Sequence, residues 1–251
     1  MTARIEHSEH AGIHQLRLAR PPVHALDTAL CEALRNAVAR AIGDGARGLV
    51  LTGGPKVFSA GLDVPFLLTL SMAELREAWE GFCNAARALA ASPVPVAAAL
   101  NGHAPAGGCV LALCCDYRVM AEGDYRIGLN ETQVGLVAPE GIQRLLRRVV
   151  GPHRAERLLV AGEMVDARYA HAIGLVDELA PQEDVPARAH AWLQALLALP
   201  ARPMLATRAI ARADVAAALA PELIELDRFV ASWNEPDTQA ALRALVARLG
   251  K

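Results

Sequence analysis

The chain has 251 residues, of which 53% are hydrophobic, and carries a formal net charge of -2. That length is enough to bury a large core in one domain, or in one domain with an appendage. The balanced charge excludes a design for binding polyanions, so no nucleic-acid partner is expected, and no apolar stretch is long enough to cross a bilayer. The opening Met1 to His10 carries neither an apolar h-region nor an Arg/Ser-rich amphipathic pattern, and a cytoplasmic location with no membrane contact is expected.

Ile13 to Leu18 alternates as a strand does, Pro21-Pro22 ends it, and Asp27 caps a helix predicted to run to about Ile42. Gly48 to Thr52 is the next strand. Gly53-Gly54-Pro55 then turns the chain into Val57 to Asp63, a short predicted strand that runs into a glycine loop. Leu75, Trp79, Phe82, Cys83, Ala86 and Leu89 recur at helical spacing, and the helix hands over at Ser92-Pro93 to a strand from Val94 to Leu100. A second glycine loop, Asn101 to Gly108, opens an apolar run that reads as a buried helix. Three of the five cysteines, Cys109, Cys114 and Cys115, lie in that run as small hydrophobes, and no C-x-x-C pair occurs. The eight histidines show no H-E-x-x-H spacing, so no metal is expected.

Short strands are predicted at Tyr117 to Met120 and Tyr125 to Leu129, just before Asn130-Glu131. Helices follow at Gly141 to Val150, at Arg154 to Ala161 and up to Ile173, with a short apolar piece at Gly174 to Asp177. Leu223, Leu226, Val230 and Trp233 share one helix face; after Pro236, Leu242, Leu245, Val246 and Leu249 share another. The pattern predicts an α/β core over residues 1–195 and a C-terminal helical region over 196–251.

Glycine loops that follow a strand and open a helix leave backbone N–H groups uncovered, where the helix dipole adds positive potential. Two loops qualify, at Ala60-Gly61 and Gly107-Gly108. Two donors from separate loops are what a thioester oxygen needs as it becomes an enolate, each worth about 2.7–4 kcal/mol of transition-state stabilisation. Neither loop matches the Rossmann or P-loop pattern.

Phe58-Ser-Ala-Gly-Leu-Asp63, Asn101-Gly followed by Ala106-Gly-Gly-Cys109, and Cys115-Asp-Tyr-Arg118 stand in one order and spacing. With Gly151-Pro-His-Arg-Ala-Glu156 and Ala172-Ile-Gly-Leu-Val-Asp177, they make the chain resemble the crotonase (enoyl-CoA hydratase/isomerase) superfamily from about Ile13 to the C-terminus. The resemblance implies an α/β, crotonase-like core of repeated ββα units with a C-terminal α-helical oligomerisation region, assembled as homotrimers or hexamers. It implies an acyl-CoA thioester substrate, with coenzyme A part of that substrate and no other cofactor. By the same resemblance, backbone N–H groups of Ala60 and Gly107 would form an oxyanion hole. Ser59, Ala60, Gly61, Leu62, Asp63 and Gly107 would line the acyl-CoA channel. As a loop carboxylate, Asp63 fits equally well as a cap for the next helix. His24 departs from the family pattern, which often has Asn there.

The subfamily turns on carboxylates, because hydration needs water activated on one carbon and a proton delivered to the other. Hydratases of this superfamily use two glutamates; here one of those positions is Val110 and the other is Glu131. One base is sufficient to move a proton from C2 to C4 of a 3-enoyl thioester. The segment Gly128 to Gln133, with Pro105 to Cys109, resembles Δ3,Δ2-enoyl-CoA isomerases of the mitochondrial type, which implies that Glu131 is the catalytic base in an isomerase of fatty acid oxidation. Apolar surroundings would raise the Glu131 pKa and suit it to that task. Glu140 lies near the place where dienoyl-CoA isomerases carry an aspartate; it is a possible second acid/base, or a first-turn acid on the next helix. A 2-enoyl-CoA hydratase, a dienoyl-CoA isomerase and a noncatalytic acyl-CoA-binding protein are the alternative readings.

Overall fold

Strands buried on both faces belong to the middle of a covered sheet, and the chain has two such runs, Gly48–Thr52 and Val96–Leu100, buried along their whole length. The computed structural model of the protein describes residues 4–249. Its first half contains β1 (Ile5–His10), β2 (Ile13–Leu18), α1 (Thr28–Gly43), β3 (Gly48–Thr52), α2 (Val64–Leu67), α3 (Met72–Ala90), β4 (Val96–Leu100), β5 (Ala104–Pro105) and α4 (Gly107–Leu113). There follow β6 (Tyr117–Ala121), β7 (Arg126–Gly128), a 3-10 turn (Glu131–Val134), α5 (Glu140–Val150), α6 (Pro152–Ala161), β8 (Val165–Asp166), α7 (Ala167–Ala172) and β9 (Glu178–Ala180). Helices complete the chain: α8 (Val185–Leu197), α9 (Ala201–Ala211), α10 (Ala213–Ala218), α11 (Pro221–Ile224), α12 (Leu226–Trp233) and α13 (Pro236–Leu249).

The main sheet has the order β1-β2-β3-β4-β6-β9, parallel throughout except for the β1/β2 hairpin. Alternation sends Leu49, Leu51, Ala98 and Leu100 into the large core under α1 and α3. Val50, Ala97 and Ala99 point the other way, against Val185, Ala189 and Leu193 of α8. A smaller sheet, β5-β7-β8, leaves the main one just after β4.

Local chemistry explains most helix starts. Asp27 accepts from Leu30 N at 2.7 Å to cap α1, and Ser71 with Glu74 makes a reciprocal capping box on α3. All five cysteines are buried, and burial pushes their thiols above the usual range. Among the described residues no helix is long and apolar enough to cross a membrane.

Three expectations need correction. β1 was not expected, because five of its six residues are exposed and the segment has no apolar period; it is held by the β2 ladder, with Ile5 packed against the core. Val57 to Asp63 is not a strand: it makes only isolated bridges, Val57 to His103 and Leu62 to Leu26. The face shared by Leu223 and Trp233 is divided between α11 and α12, because Glu225 takes φ 45°. The expected division after residue 195 falls inside α8, and the C-terminal helices share one apolar cluster with the core through Val215, Ile224, Phe229, Trp233 and Leu242.

Asp116 ties the two regions together. Its carboxylate accepts from Val96 N at 2.8 Å and from Arg208 at 2.7 and 2.8 Å, and Arg212 Nε lies 3.1 Å away. Arg212 also donates to Cys114 O at 2.8 Å, at the C-terminal end of α4. Nearby, buried Arg118 pairs with Asp177 at 2.8 Å and donates to Leu175 O at 2.8 Å. Removing one partner from a buried ion cluster leaves charge uncompensated. Asp116→Ala is expected to lower unfolding free energy by about 3 kcal/mol in a urea titration; a loss under about 1 kcal/mol would remove Asp116 as the latch.

Candidate active site

The two glycine loops predicted from sequence meet in space, backbone to backbone. Gly61 has φ 79°, and a Cβ built on it would stand 3.1 Å from both Gly107 N and Pro105 O. A Cβ on Gly108 would come within 2.6 Å of Ser59 O. Only glycine permits this approach. Ser59 braces the first loop from behind: its buried hydroxyl donates to His24 O at 2.9 Å and accepts from Gly61 N at 3.2 Å.

The donors are not quite those expected. Ala60 N–H is committed to Val23 O at 2.9 Å, so it is not free for a substrate oxygen. In the bridge that follows, Leu26 N donates to Gly61 O at 2.8 Å and Asp63 N donates to Leu26 O at 3.1 Å. Leu62 N–H therefore faces the other way and donates to no protein group among the described residues. Sequence reasoning missed the free N–H of Leu62 because its freedom follows from the bridge to Leu26, far away in the chain. Gly107 N–H, the other expected donor, is the first of α4 and has no intrahelical acceptor. Ala106 before it is held at φ 45° and ψ -116°, a conformation costly for a residue with a Cβ.

These loops wall a cavity of about 410 Å³. Ala60, Leu62, Asp63 and Gly107 are on its surface; Ser59 and Gly61, expected in the channel, are behind it. Trp79 and Phe82 of α3 form an aromatic wall with Leu67, whereas Phe66 packs against the core instead. Trp233 of α12 and Leu245 of α13 complete the enclosure, so the C-terminal helices build part of the site.

Glu131 opens the 3-10 turn after β7 and lies on the cavity wall, 8% exposed. Its Oε2 has no partner among the described residues, and burial raises its pKa to about 7. Val110, on the first turns of α4, also borders the cavity. Asp63 is the other carboxylate there, but it is engaged: Oδ1 caps α2 through Phe66 N at 3.1 Å and Oδ2 pairs with Arg20 at 2.5 Å. Both the capping and the lining readings of Asp63 therefore describe its position.

Glu140 is absent from the cavity wall and starts α5. Hydrogen bonds from Arg147 and Arg144, at 2.7 and 2.9 Å, hold its carboxyl below the usual range. That removes it from the acid/base set: a carboxylate fixed by two guanidiniums outside the cavity has no route to the substrate. His24, at φ 50°, is likewise turned away from catalysis, with Nδ1 accepting from Arg20 N at 3.2 Å and burial lowering its pKa.

Two consequences are measurable. Gly108→Ala places a Cβ against the backbone of Ser59, which cannot yield as a side chain does, so the loops must separate. Turnover should fall by roughly 100-fold, and unchanged turnover would show that the loop spacing is not needed. For Glu131, the folded-state pKa lies above the unfolded one, so its contribution to stability is fully present below pH 4.5 and is lost as pH rises through about 7. Glu131→Gln should therefore be more stable than the parent at pH 8, by up to roughly 3 kcal/mol, with the gain vanishing near pH 4; equal gains at both pH values would contradict a desolvated carboxylate.

The family model for enoyl-CoA hydratase/isomerase matches residues 8–246. Human mitochondrial enoyl-CoA delta isomerase 1 is 32% identical over 249 residues, which cover 98% of this chain and 82% of that protein. The probable enoyl-CoA hydratase EchA17 of Mycobacterium tuberculosis is 37% identical over 207 residues, 80% of this chain and 77% of its own length. The crystal structure of human mitochondrial delta3-delta2-enoyl-CoA isomerase superposes with a TM-score of 0.93 at 32% identity, covering 98% of each chain. With the motifs, the crotonase architecture and the cavity in agreement, the chain belongs to the enoyl-CoA hydratase/isomerase family.

Proposed function

We propose that this protein is a Δ3,Δ2-enoyl-CoA isomerase, which moves the double bond of a 3-enoyl-CoA to the 2-trans position. The observation that carries the reading is Glu131: a buried carboxylate on the cavity wall with one oxygen unpartnered and a pKa of about 7. A base of that strength is poised to take a proton and give it back near neutral pH.

The chemistry follows from the walls. The thioester oxygen accepts from Leu62 and Gly107 N–H, so negative charge gathers there as Glu131 removes a proton from C2. The C2–H electrons enter the conjugated dienolate. Protonated Glu131 then returns the proton to C4, and the double bond collapses to C2–C3 with the thioester carbonyl restored. Val110 supplies no carboxylate with which a second acid/base pair would activate water, and this favours isomerisation over hydration.

We further read the protein as needing no cofactor beyond the coenzyme A carried by its substrate. Fatty acid oxidation in the cytoplasm is the setting we assign to this reaction. Assembly as a homotrimer or hexamer is supported by large exposed apolar side chains at the helical end, Leu199 and Ile210.

The test is to incubate the purified protein with 3-hexenoyl-CoA and follow the conjugated thioester by ultraviolet absorbance, with hydration of 2-hexenoyl-CoA measured in parallel. Isomerisation should dominate, and kcat/KM should rise with pH through about 7 and then level, since the base works ionised. Glu131→Gln should lose roughly 1,000-fold in kcat. Hydration faster than isomerisation, or full activity in Glu131→Gln, would refute the assignment.

A further inference from the structure

Helix α13 lies against the turn that carries Glu131. Thr238, in the first turn of that helix and 5% exposed, donates from Oγ1 to Gly135 O at 2.7 Å. Gly135 closes the 3-10 turn: at φ 76° it donates to Thr132 O at 3.3 Å, and Leu136 N behind it donates to Glu131 O at 2.9 Å. The carbonyl that Thr238 holds is therefore on the same closed loop as the base. The fit there is tight, since a Cβ on Gly135 would stand 3.0 Å from Thr238 Cα and 3.1 Å from Ala241 Cβ.

The turn is also tied to α6, where Thr132 Oγ1 donates to Leu159 O at 2.8 Å and Gln133 Nε2 to Ala161 O at 3.3 Å. Those bonds are exposed, whereas α13 runs on into the site. Thr238, Ala241, Leu242 and Leu245 recur at helical spacing on one face. Leu242 is fully buried in the core, and Leu245 is on the cavity wall with Val134 and Leu136 of the turn region. A helix fastened at Thr238 thus anchors the turn and keeps the wall closed beside Glu131. Closure matters to the carboxyl, because burial raises its pKa to about 7 against the opposing hydrogen bond of its own backbone N–H. Water admitted between α13 and the turn would return it toward the ordinary carboxylate range.

We propose that Thr238 is a positioning residue for the reaction: its hydroxyl, bonded to Gly135 O, clamps α13 onto the turn and so holds the Glu131 carboxylate in place and dry. This rests on the isomerase reading, in which Glu131 is the base. Thr238 is not on the cavity wall and acts only through the turn. Small displacements of a base cost rate steeply, because the reacting atoms must stay aligned. A valine at 238 keeps the shape of threonine but leaves the Gly135 carbonyl without its donor, so it opens the clamp with little change in packing.

The experiment measures kcat and the pH profile of kcat/KM for isomerisation of 3-hexenoyl-CoA by the full chain, Thr238→Val, Thr238→Ser and Gly135→Ala, with thermal melts alongside. Thr238→Val should lose roughly ten-fold or more in kcat, and the midpoint of its pH profile should fall by about one unit below the parent's as water reaches the carboxyl. Thr238→Ser keeps the hydroxyl and should restore both values. Gly135→Ala pushes the turn off α13 from the other side and should reproduce both shifts, which keeps the test decisive if Thr238→Val does not fold. A parental kcat, a loss of kcat with the pH midpoint unmoved, or a Thr238→Ser as impaired as Thr238→Val overturns the proposal while leaving the isomerase reading intact. A parent that converts no 3-hexenoyl-CoA would instead count against that reading and, with it, this one.

Discussion

The site depends on one backbone contact, the approach of the Ala60-Gly61 loop to the Ala106-Gly107 loop. A Cβ on Gly61 would be 3.1 Å from Gly107 N, and a Cβ on Gly108 would meet Ser59 O at 2.6 Å. Each loop follows a strand of the parallel sheet, β3 for the first and β4, by way of β5, for the second. Sheet geometry brings them near, and the missing side chains let them touch. Two N–H groups from distant parts of the chain then converge on one cavity with no partner of their own. Ala106 at φ 45° and Ser59 under the first loop are the local price of holding them there.

Against this rigid donor pair stands a carboxylate to which the fold offers no counter-charge among the described residues. Glu131 receives no cation and no side-chain donor, and its pKa rises to about 7 for want of solvent. The contrast with the neighbouring acids is instructive. Asp63 has Arg20, Glu140 has Arg147 and Arg144, and Asp116 has Arg208 and Arg212. Each of these three is neutralised by guanidinium; Glu131, with a buried oxygen that has no partner among the described residues, lies on the cavity wall. Electrostatic neglect of this kind is what makes an acid useful as a base near neutral pH.

The motifs that identify the family divide by task. Asp116 and Arg118 are architectural, binding the end of α4 to α9, α10 and the turn before β9. The glycines and Leu62 shape the donor pair. The C-terminal helices, for which the family resemblance implies an oligomerisation role, close the cavity through Trp233 and Leu245. These helices therefore take part in shaping the site.

Much was legible in the sequence. The α/β order, most strand and helix positions and both glycine loops follow from periodicity and turn chemistry, because these are encoded within short windows of chain; the expectations for Gly107 and Glu131 came with the family resemblance of the motifs around them. Tertiary structure alone decided the rest. That Ala60 N–H is spent on Val23 O and Leu62 N–H is free depends on pairing between segments more than thirty residues apart. Glu140 was removed from the site by arginines one and two turns along its own helix, a rotamer choice that sequence does not specify. β1 carries no apolar signal and exists through its neighbour's hydrogen bonds. The bond between Thr238 and Gly135, 103 residues apart, exists only once α13 is docked on the turn of Glu131, since no short window of chain contains both partners.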